Sequence, residues 1–372
     1  MRACASIGET DLWNFNRESA EKSTGERKSS HLLLSPAMPD FSIGVDLGGT
    51  NLRIAAISTD GQLLEKVNHS TNSDRGPDHV IGEMCAAILQ LSTKYQSSGK
   101  FMGAGVGIPG IIDLEAGVVR KSANVPCLTE YPVRSQIEQR LGARIFLEND
   151  AKLAALGEQW LGAARGVDDL AMLTLGTGIG GVIVLNGKIF HGLSGMAGEF
   201  GHVTVEPDGV PCGCGNHGCA ERYASASAVM RMAREAIESG KAPALAKIAN
   251  SGAEFTPIAV YDLAMQGDEA AQRIFQRFGK ALGILLADLV NVLNLGMYVI
   301  GGGVASAWNA FAPTMFQELR ERSLIYAATA GEKDTSGAGK GMSDHTRGKT
   351  IIARGLLGGD AGLFGGARLP LI

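Results

Sequence analysis

The chain has 372 residues, of which 45% are hydrophobic and 19% are charged, and its formal net charge is −4. This composition is typical of a globular protein of two or three domains and excludes a disordered chain. The acidic balance argues against a nucleic-acid partner, which normally requires a concentrated basic patch. No uninterrupted apolar run of membrane-spanning length and no signal peptide are present, so we expect no membrane span and a cytoplasmic location.

The first half of the chain predicts an α/β arrangement that begins at Phe41. Residues 1–40 are polar and aperiodic, and we expect them to form a disordered leader or an extension that arises from the choice of start site. Residues 41–58 read as two apolar strands joined by a glycine-rich turn. Further along, the pattern predicts a helix over about 78–95, a buried strand that starts near 103, a strand over 144–149 and a helix over 150–161.

The second half repeats this pattern. Residues 170–190 again read as strand, glycine-rich turn and strand, which predicts a duplicated, two-lobed fold. The remaining predicted elements are helices at about 224–238, 257–266 and 268–295, a buried strand within 297–305, an exposed loop at 328–349 and a final glycine-containing helix within 353–369. The predicted lobes are 41–148 with about 356–372, and 149–355.

The glycine-rich turns are candidate phosphate sites. Glycines allow close approach of the backbone to a phosphate, and exposed N–H groups form an anion nest. Asp46, at the end of an apolar strand, has the chemistry to hold Mg²⁺ through water. The turn at 176–181 offers the same chemistry, although neither turn matches the Walker A or dinucleotide spacing. Each turn alone is also explained as a plain hairpin; the third glycine run, at 301–303, favours a nucleotide site.

An acid–amide pair lies where the strand over 144–149 is predicted to become a helix. Asp150 at this junction is explained either as a helix N-cap or as a base for a substrate hydroxyl at the mouth of a cleft. Asn149 offers both a donor and an acceptor, which suits the hydroxyls of a sugar.

A cluster of histidine and cysteine predicts a metal site. His202 is followed by Cys212, Cys214 and Cys219, and one imidazole with three thiols satisfies four-coordinate structural Zn²⁺. His217 is a competing ligand, which we rank below His202. A closed four-ligand site leaves no metal-bound water to activate, so we expect the ion to organise the neighbouring carboxylates and imidazole for substrate.

Taken together, these motifs resemble the ROK family of sugar kinases and related repressors, within the actin-like ATPase superfamily. The resemblance covers about residues 41–372. The segments that carry it are DLGGTNLR (46–53), GVGIPGIID (105–113), ENDA (148–151), LGTGIGGVIVLNGKIFHGLSGMAGEFGH (175–202) and CGCGNHGCAE (212–221). It implies a two-lobed actin-like ATPase (ribonuclease H-like) α/β fold with mixed sheets, flanking helices and a central cleft.

The resemblance also implies a function, namely ATP-dependent phosphorylation of a hexose with Mg²⁺, by a chain that forms a homodimer. It implies that Asp150 is the catalytic base for the sugar 6-hydroxyl. The implied sugar-binding residues are Asn124, Asn149, Asp150, Glu199, His202 and Glu221. The implied ATP-binding residues are Asp46, Gly48, Gly49, Thr50, Asn51, Thr177, Gly178, Gly301, Gly302 and Gly303.

Several alternatives stay open within and beyond this family. The segment SANVP, which contains Asn124, resembles glucose kinases more than N-acetylmannosamine kinases, and kinases of N-acetylglucosamine or fructose are further alternatives. A sugar-sensing repressor would need an N-terminal DNA-binding domain that residues 1–40 are too short to supply. A non-catalytic sugar-binding or structural zinc protein would not need the phosphate turns and Asp150. The chain departs from many members of this family at position 152, where it has Lys152 and they have Asn.

Overall fold

The computed structural model describes residues 39–252, 254–330 and 348–372, and these belong to one compact unit. The first sheet contains five strands in the order β3-β2-β1-β4-β7. Its strands are β1 (Phe41–Leu47), β2 (Asn51–Ser58), β3 (Leu63–Ser70), β4 (Phe101–Ile108) and β7 (Ile145–Asn149). Because β1, β4 and β7 run parallel, their carboxyl ends meet at one edge of the sheet.

The second sheet repeats this topology in the order β10-β9-β8-β11-β12. Its strands are β8 (Leu170–Leu175), β9 (Ile179–Leu185), β10 (Lys188–Ile189), β11 (Met297–Gly301) and β12 (Ile351–Arg354). Both sheets contain an antiparallel hairpin with a glycine-rich turn, followed by two parallel strands. The predicted duplication of an α/β fold with mixed sheets is therefore confirmed.

Helices cover the sheets and supply most of the core contacts. They are α1 (Pro77–Tyr95), α2 (Val133–Leu141), α3 (Asp150–Trp160), α4 (Ala226–Glu238), α5 (Pro243–Ala249), α6 (Pro257–Met265), α7 (Glu269–Leu293), α8 (Trp308–Arg322), α9 (Leu324–Thr329) and α10 (Ala361–Arg368). A short hairpin of β5 (Ile111–Asp113) and β6 (Val118–Lys121) completes the described fold. Within the described ranges, no helix combines the length and apolar character that a bilayer crossing requires.

Most of the predicted elements occur within a few residues of their expected bounds. The final helix is an exception, because it begins at Ala361 and the first residues of its predicted range belong to β12. Several other elements were missed. Strand β3, LLEKVNHS, lies at the edge of its sheet and is largely open to solvent, so its sequence lacks an apolar period. Helix α2 buries only Val133 and Ile137, and β12 has only four residues. Most of the predicted leader, and residues 331–347 of the predicted exposed loop, lie outside the described residues.

Helix α10 returns the end of the chain to the first sheet and crosses α3 at very short range. The crossing depends on glycines, because a Cβ on Gly365 would collide with the backbone oxygen of Leu153. On the opposite helix, a Cβ on Gly157 would collide with the backbone oxygen of Ala361. Since α3 begins at Asp150, this crossing helps to fix the position of that residue.

Candidate active site

A cleft of about 1020 Å³ lies where the carboxyl ends of strands from both sheets meet. Its lining brings together the DLGGT turn after β1, the start of α3 after β7, the glycine turn after β8 and the glycines after β11. Open α/β sheets bind ligands at the carboxyl ends of their strands, and the placement of this cleft follows that rule.

Asp150 is the first residue of α3 and lines the cleft. Burial raises the pKa of Asp150 from 3.8 to about 6, and the negative charge of Asp46 adds to the rise. The backbone N–H of Ala151 donates to the Asp150 carboxylate at 2.9 Å, which opposes the rise. A carboxylate with this pKa is ionised at neutral pH and is a stronger base than an ordinary Asp.

The N-cap of α3 is Asn149, not Asp150, so the N-cap explanation of Asp150 is wrong. The Asn149 side-chain oxygen accepts from the N–H groups of Ala151 and Lys152, at 3.0 and 3.4 Å. Its amide nitrogen donates to the carbonyl of Gly110 at 3.2 Å. Because the oxygen is already engaged, Asn149 retains mainly one N–H for a ligand, and Asp150 is freed from capping.

A second carboxylate, Asp46, stands at the end of β1 and is 8% exposed. Burial raises the pKa of Asp46, and the guanidinium of Arg53, which forms an ion pair with it, opposes the rise. Arg53 also donates to the carbonyl of Gly359 in the segment before α10. An acidic oxygen donor beside an arginine, facing glycine-rich backbone, suits a phosphate chain that carries Mg²⁺.

The predicted phosphate residues divide into two groups. Gly48, Thr177, Gly178, Gly302 and Gly303 line the cleft. Gly49, Thr50 and Asn51 are exposed at the tip of the β1–β2 turn, and Gly301 is buried in β11 against Met172. The turn is held by the Thr71 hydroxyl, which donates to the Gly48 carbonyl at 2.7 Å.

The predicted sugar residues gather in the cleft that Asp150 lines. Asn124, Glu199, His202 and Glu221 all line the same cleft. His202 lies between the two glutamates, with Nε2 3.9 Å from Glu199 and Nδ1 3.7 Å from Glu221. Carboxylates and an imidazole so arranged offer the acceptors and donors that a polyhydroxylated ligand requires.

The four predicted metal ligands, which include His202 of this group, form a compact set. The ligand atoms of His202, Cys212, Cys214 and Cys219 all lie within 4.8 Å of one another. The Cys214 and Cys219 sulfurs are 3.6 Å apart, and the Cys212 sulfur is 3.7 Å from Nδ1 of His202. In a tetrahedral site with Zn–S bonds of about 2.3 Å, sulfur ligands lie about 3.8 Å apart. The donor set and its spacing therefore fit Zn²⁺, and the competing ligand His217 is not part of the set.

Sequence reasoning missed a buried polar group beside Asp150. Glu148 is 3% exposed, and its carboxylate lies 2.7 Å from Nε2 of His191 and 3.9 Å from the ammonium of Lys152. The i,i+4 spacing of Glu148 and Lys152 was readable from the sequence, but their burial was not. The contact of Glu148 with His191 joins residues 43 positions apart, so no local sequence pattern indicated it.

The chain is similar to known proteins over most of its length. The family model described as "ROK family" matches residues 42–355. The glucokinase of Thermotoga maritima is 39% identical over 76% of this chain and 87% of its own length. The glucokinase of Halalkalibacterium halodurans is 34% identical over 88% of this chain and 94% of its own. Among solved structures, a ROK family glucokinase from Streptomyces griseus in complex with glucose and AMPPNP is 30% identical, with a TM-score of 0.70, over 88% of this chain and 98% of that one.

Proposed function

The chain belongs to the ROK family, and we propose that it is an ATP-dependent glucokinase that phosphorylates glucose at the 6-hydroxyl. The observation that supports this proposal is that one cleft is lined by Asp150, whose pKa is raised, by glycine-rich turns from both sheets and by the polar residues Asn124, Glu199, His202 and Glu221. The similarity to glucokinases over most of both chains supports glucose as the hexose.

In this proposal, Asp150 orients the sugar hydroxyl and accepts its proton while the hydroxyl oxygen attacks the γ-phosphorus of ATP. The bond from that phosphorus to the β–γ bridging oxygen breaks in the same step, and ADP leaves. Phosphoryl transfer demands mainly positioning and charge stabilisation from the protein. The backbone N–H groups of Gly178 and Gly302, which line the cleft, would hold the phosphates, whereas the Gly48 N–H already donates to the carbonyl of Asn51 at 2.8 Å and shapes the turn. Asp46 and Arg53 are placed to balance the charge of the phosphate chain and its Mg²⁺, the ion that neutralises charge developing on the phosphate oxygens.

We further propose that His202, Cys212, Cys214 and Cys219 hold a structural Zn²⁺. The site supports this assignment because Nδ1 of His202 faces the Cys212 sulfur while Nε2 faces Glu199 and the cleft. A ring fixed in this way presents its second nitrogen to the sugar in one orientation. With all four positions taken by the protein, the ion organises the loop and takes no part in proton transfer.

The direct test is an ADP-release assay with Mg·ATP and a panel of glucose, mannose, fructose, N-acetylglucosamine and N-acetylmannosamine. We expect selective turnover with glucose. Turnover confined to an acetylated sugar would retain the chemistry and contradict the assignment of glucose. No turnover with any of the five sugars, by folded protein supplied with zinc, would contradict the kinase assignment.

A further inference from the structure

Lys152 is a buried lysine two residues after Asp150, in the first turn of α3. It is 5% exposed, and burial lowers the pKa of its ammonium, whereas Glu148 and Glu199 act in the opposite direction. A cation in the first turn of a helix is opposed by the helix dipole, and burial of a charge costs free energy. A lysine in this position therefore needs specific partners that compensate for both effects.

Its closest partner belongs to a loop that leads into the sugar-binding group. The Lys152 ammonium donates to the backbone carbonyl of Gly195 at 2.6 Å. Gly195 lies in the loop of residues 191–198, which connects β10 to Glu199. Glu199, at the end of the loop, lines the cleft together with Lys152 itself.

The same network holds the beginning of the loop. Glu148 places one carboxylate oxygen 3.9 Å from the Lys152 ammonium and the other 2.7 Å from Nε2 of His191. The loop is closed on itself by the N–H of Ala197, which donates to the His191 carbonyl at 3.0 Å. Glu148, which precedes Asn149, therefore contacts the start of the 191–198 loop, and Lys152, two residues after Asp150, contacts its middle.

Among the residues that the structure describes, the 191–198 loop has few other contacts that would restrain its backbone. Gly192, Gly195 and Gly198 all have positive φ, and the Leu193 side chain is fully exposed. The packing of Gly198 against Gly181, where a Cβ would collide, fixes the end of the loop. Between that point and β10, hydrophobic packing contributes little at the exposed Leu193, so polar contacts carry much of the restraint.

We propose that Lys152 is a positioning residue that ties the 191–198 loop to the first turn of α3 and so sets the placement of Glu199 relative to Asp150. This inference rests on the proposed hexose kinase activity for its kinetic consequence, but not for the contact itself. The Lys152–Gly195 hydrogen bond makes the loop that carries a sugar ligand and the helix that carries the base a single unit.

The rival explanation is that Lys152 merely neutralises the buried Glu148 carboxylate. Two variants separate these roles. Lys152→Met removes both the charge and the donor to Gly195, and leaves Glu148 without the ammonium. The double variant Glu148→Gln/Lys152→Met removes both buried charges, so it relieves the electrostatic penalty while the Gly195 contact stays lost. The matched control is Lys94→Met, at an exposed lysine of α1 that pairs with Glu65 of β3.

The experiment measures steady-state kinetics and amide hydrogen exchange of peptides that cover residues 190–199. For both Lys152 variants we expect the KM for glucose to rise about tenfold, while kcat and the KM for ATP change less than about threefold. Exchange in the 191–198 loop, including the Ala197 amide, is expected to accelerate in both variants without ligand. The Lys94→Met control is expected to match the wild type in each measurement.

Two outcomes would overturn the proposal. Wild-type loop exchange and glucose KM in Lys152→Met would show that the contact with Gly195 restrains nothing. A defect in Lys152→Met that the double variant repairs would show that Lys152 only neutralises Glu148. If the wild type fails to phosphorylate glucose, the proposed function is contradicted, but the exchange measurement still decides whether Lys152 holds the loop.

Discussion

At the scale of single residues, the environment of Asp150 matters most for the proposed reaction. The sequence places a carboxylate at the start of a helix, and the structure adds its burial, the nearby charge of Asp46 and the neighbouring N-cap. These features could not be read from the motif, because burial and the Asp46 contact depend on strands more than a hundred residues apart. They raise the pKa of the Asp150 carboxyl to about 6, which suits the proposed role of this residue as the base.

The raised pKa of Asp150 predicts a pH dependence of the reaction. The base must be ionised, so kcat/KM for glucose is expected to increase with pH through about 6 and to level off above it. Steady-state measurements from pH 5 to 9, with a fixed excess of Mg·ATP, check this. A profile that falls as the pH rises from 5 to 7 would contradict the assignment of Asp150 as the base.

The same shift predicts an effect on stability. Because the folded state holds the Asp150 proton more tightly than the unfolded state, ionisation at this site reduces stability as the pH rises from about 3.8 to about 6, and the loss persists above that pH. We therefore expect Asp150→Asn to raise the Tm at pH 8 relative to the wild type, with a smaller difference at pH 4. Asp74→Asn, at an exposed aspartate, is the control. A lower Tm for Asp150→Asn at pH 8 would contradict this balance.

At the scale of elements, the cysteine-rich loop was the most predictable part of the site. The ligands His202, Cys212, Cys214 and Cys219 lie within eighteen positions, so most of the site is local in sequence, and the structure brings the same four together. The Glu148–His191 contact and the α3–α10 crossing were not predictable, because each depends on tertiary packing between distant segments.

The proposed zinc site predicts that metal affinity and sugar affinity are lost together. We expect Cys214→Ser to lose bound zinc and to weaken glucose binding at least about tenfold, because metal ligation orders the loop around His202. Metal analysis and calorimetric titration with glucose check both effects. Cys127→Ser, outside the cluster, is expected to retain both properties. Full glucose affinity in a zinc-free Cys214→Ser protein would contradict an organising role for the metal.

The close crossing of α3 and α10 predicts that one methyl group added at Gly365 destabilises the folded protein. Gly365→Ala is expected to reduce the free energy of unfolding by about 1–3 kcal/mol or more, because the new Cβ meets the backbone of Leu153 rather than a movable side chain. Gly82→Ala, also in a helix, is the control. Its Cβ would lie 3.7 Å from the nearest atom, so the higher helix propensity of alanine is expected to leave stability unchanged or slightly increased. Equal stability of both variants in denaturant titrations would contradict this explanation of the crossing.

At the scale of the whole molecule, the repeated strand–glycine turn–strand pattern predicted the duplicated fold because it is local. The order of the strands in each sheet could not be predicted from this local pattern. It arises from the parallel pairing of β1 with β4 and of β8 with β11, which are joined by long connections. This pairing is what carries Asp46, Asp150, Thr177 and Gly302 into one cleft. The predicted lobe boundaries stay a prediction.

The central claim is that this cleft transfers a phosphoryl group to the glucose 6-hydroxyl with Asp150 as the base. The most direct measurement is NMR identification of the sugar phosphate formed from glucose and Mg·ATP, by the wild type and by Asp150→Asn at pH 8. We predict glucose 6-phosphate from the wild type and a rate at least about a hundredfold lower from the variant, which should still bind glucose in a calorimetric titration. A different phosphorylated position, or near-normal turnover by Asp150→Asn, would contradict the account.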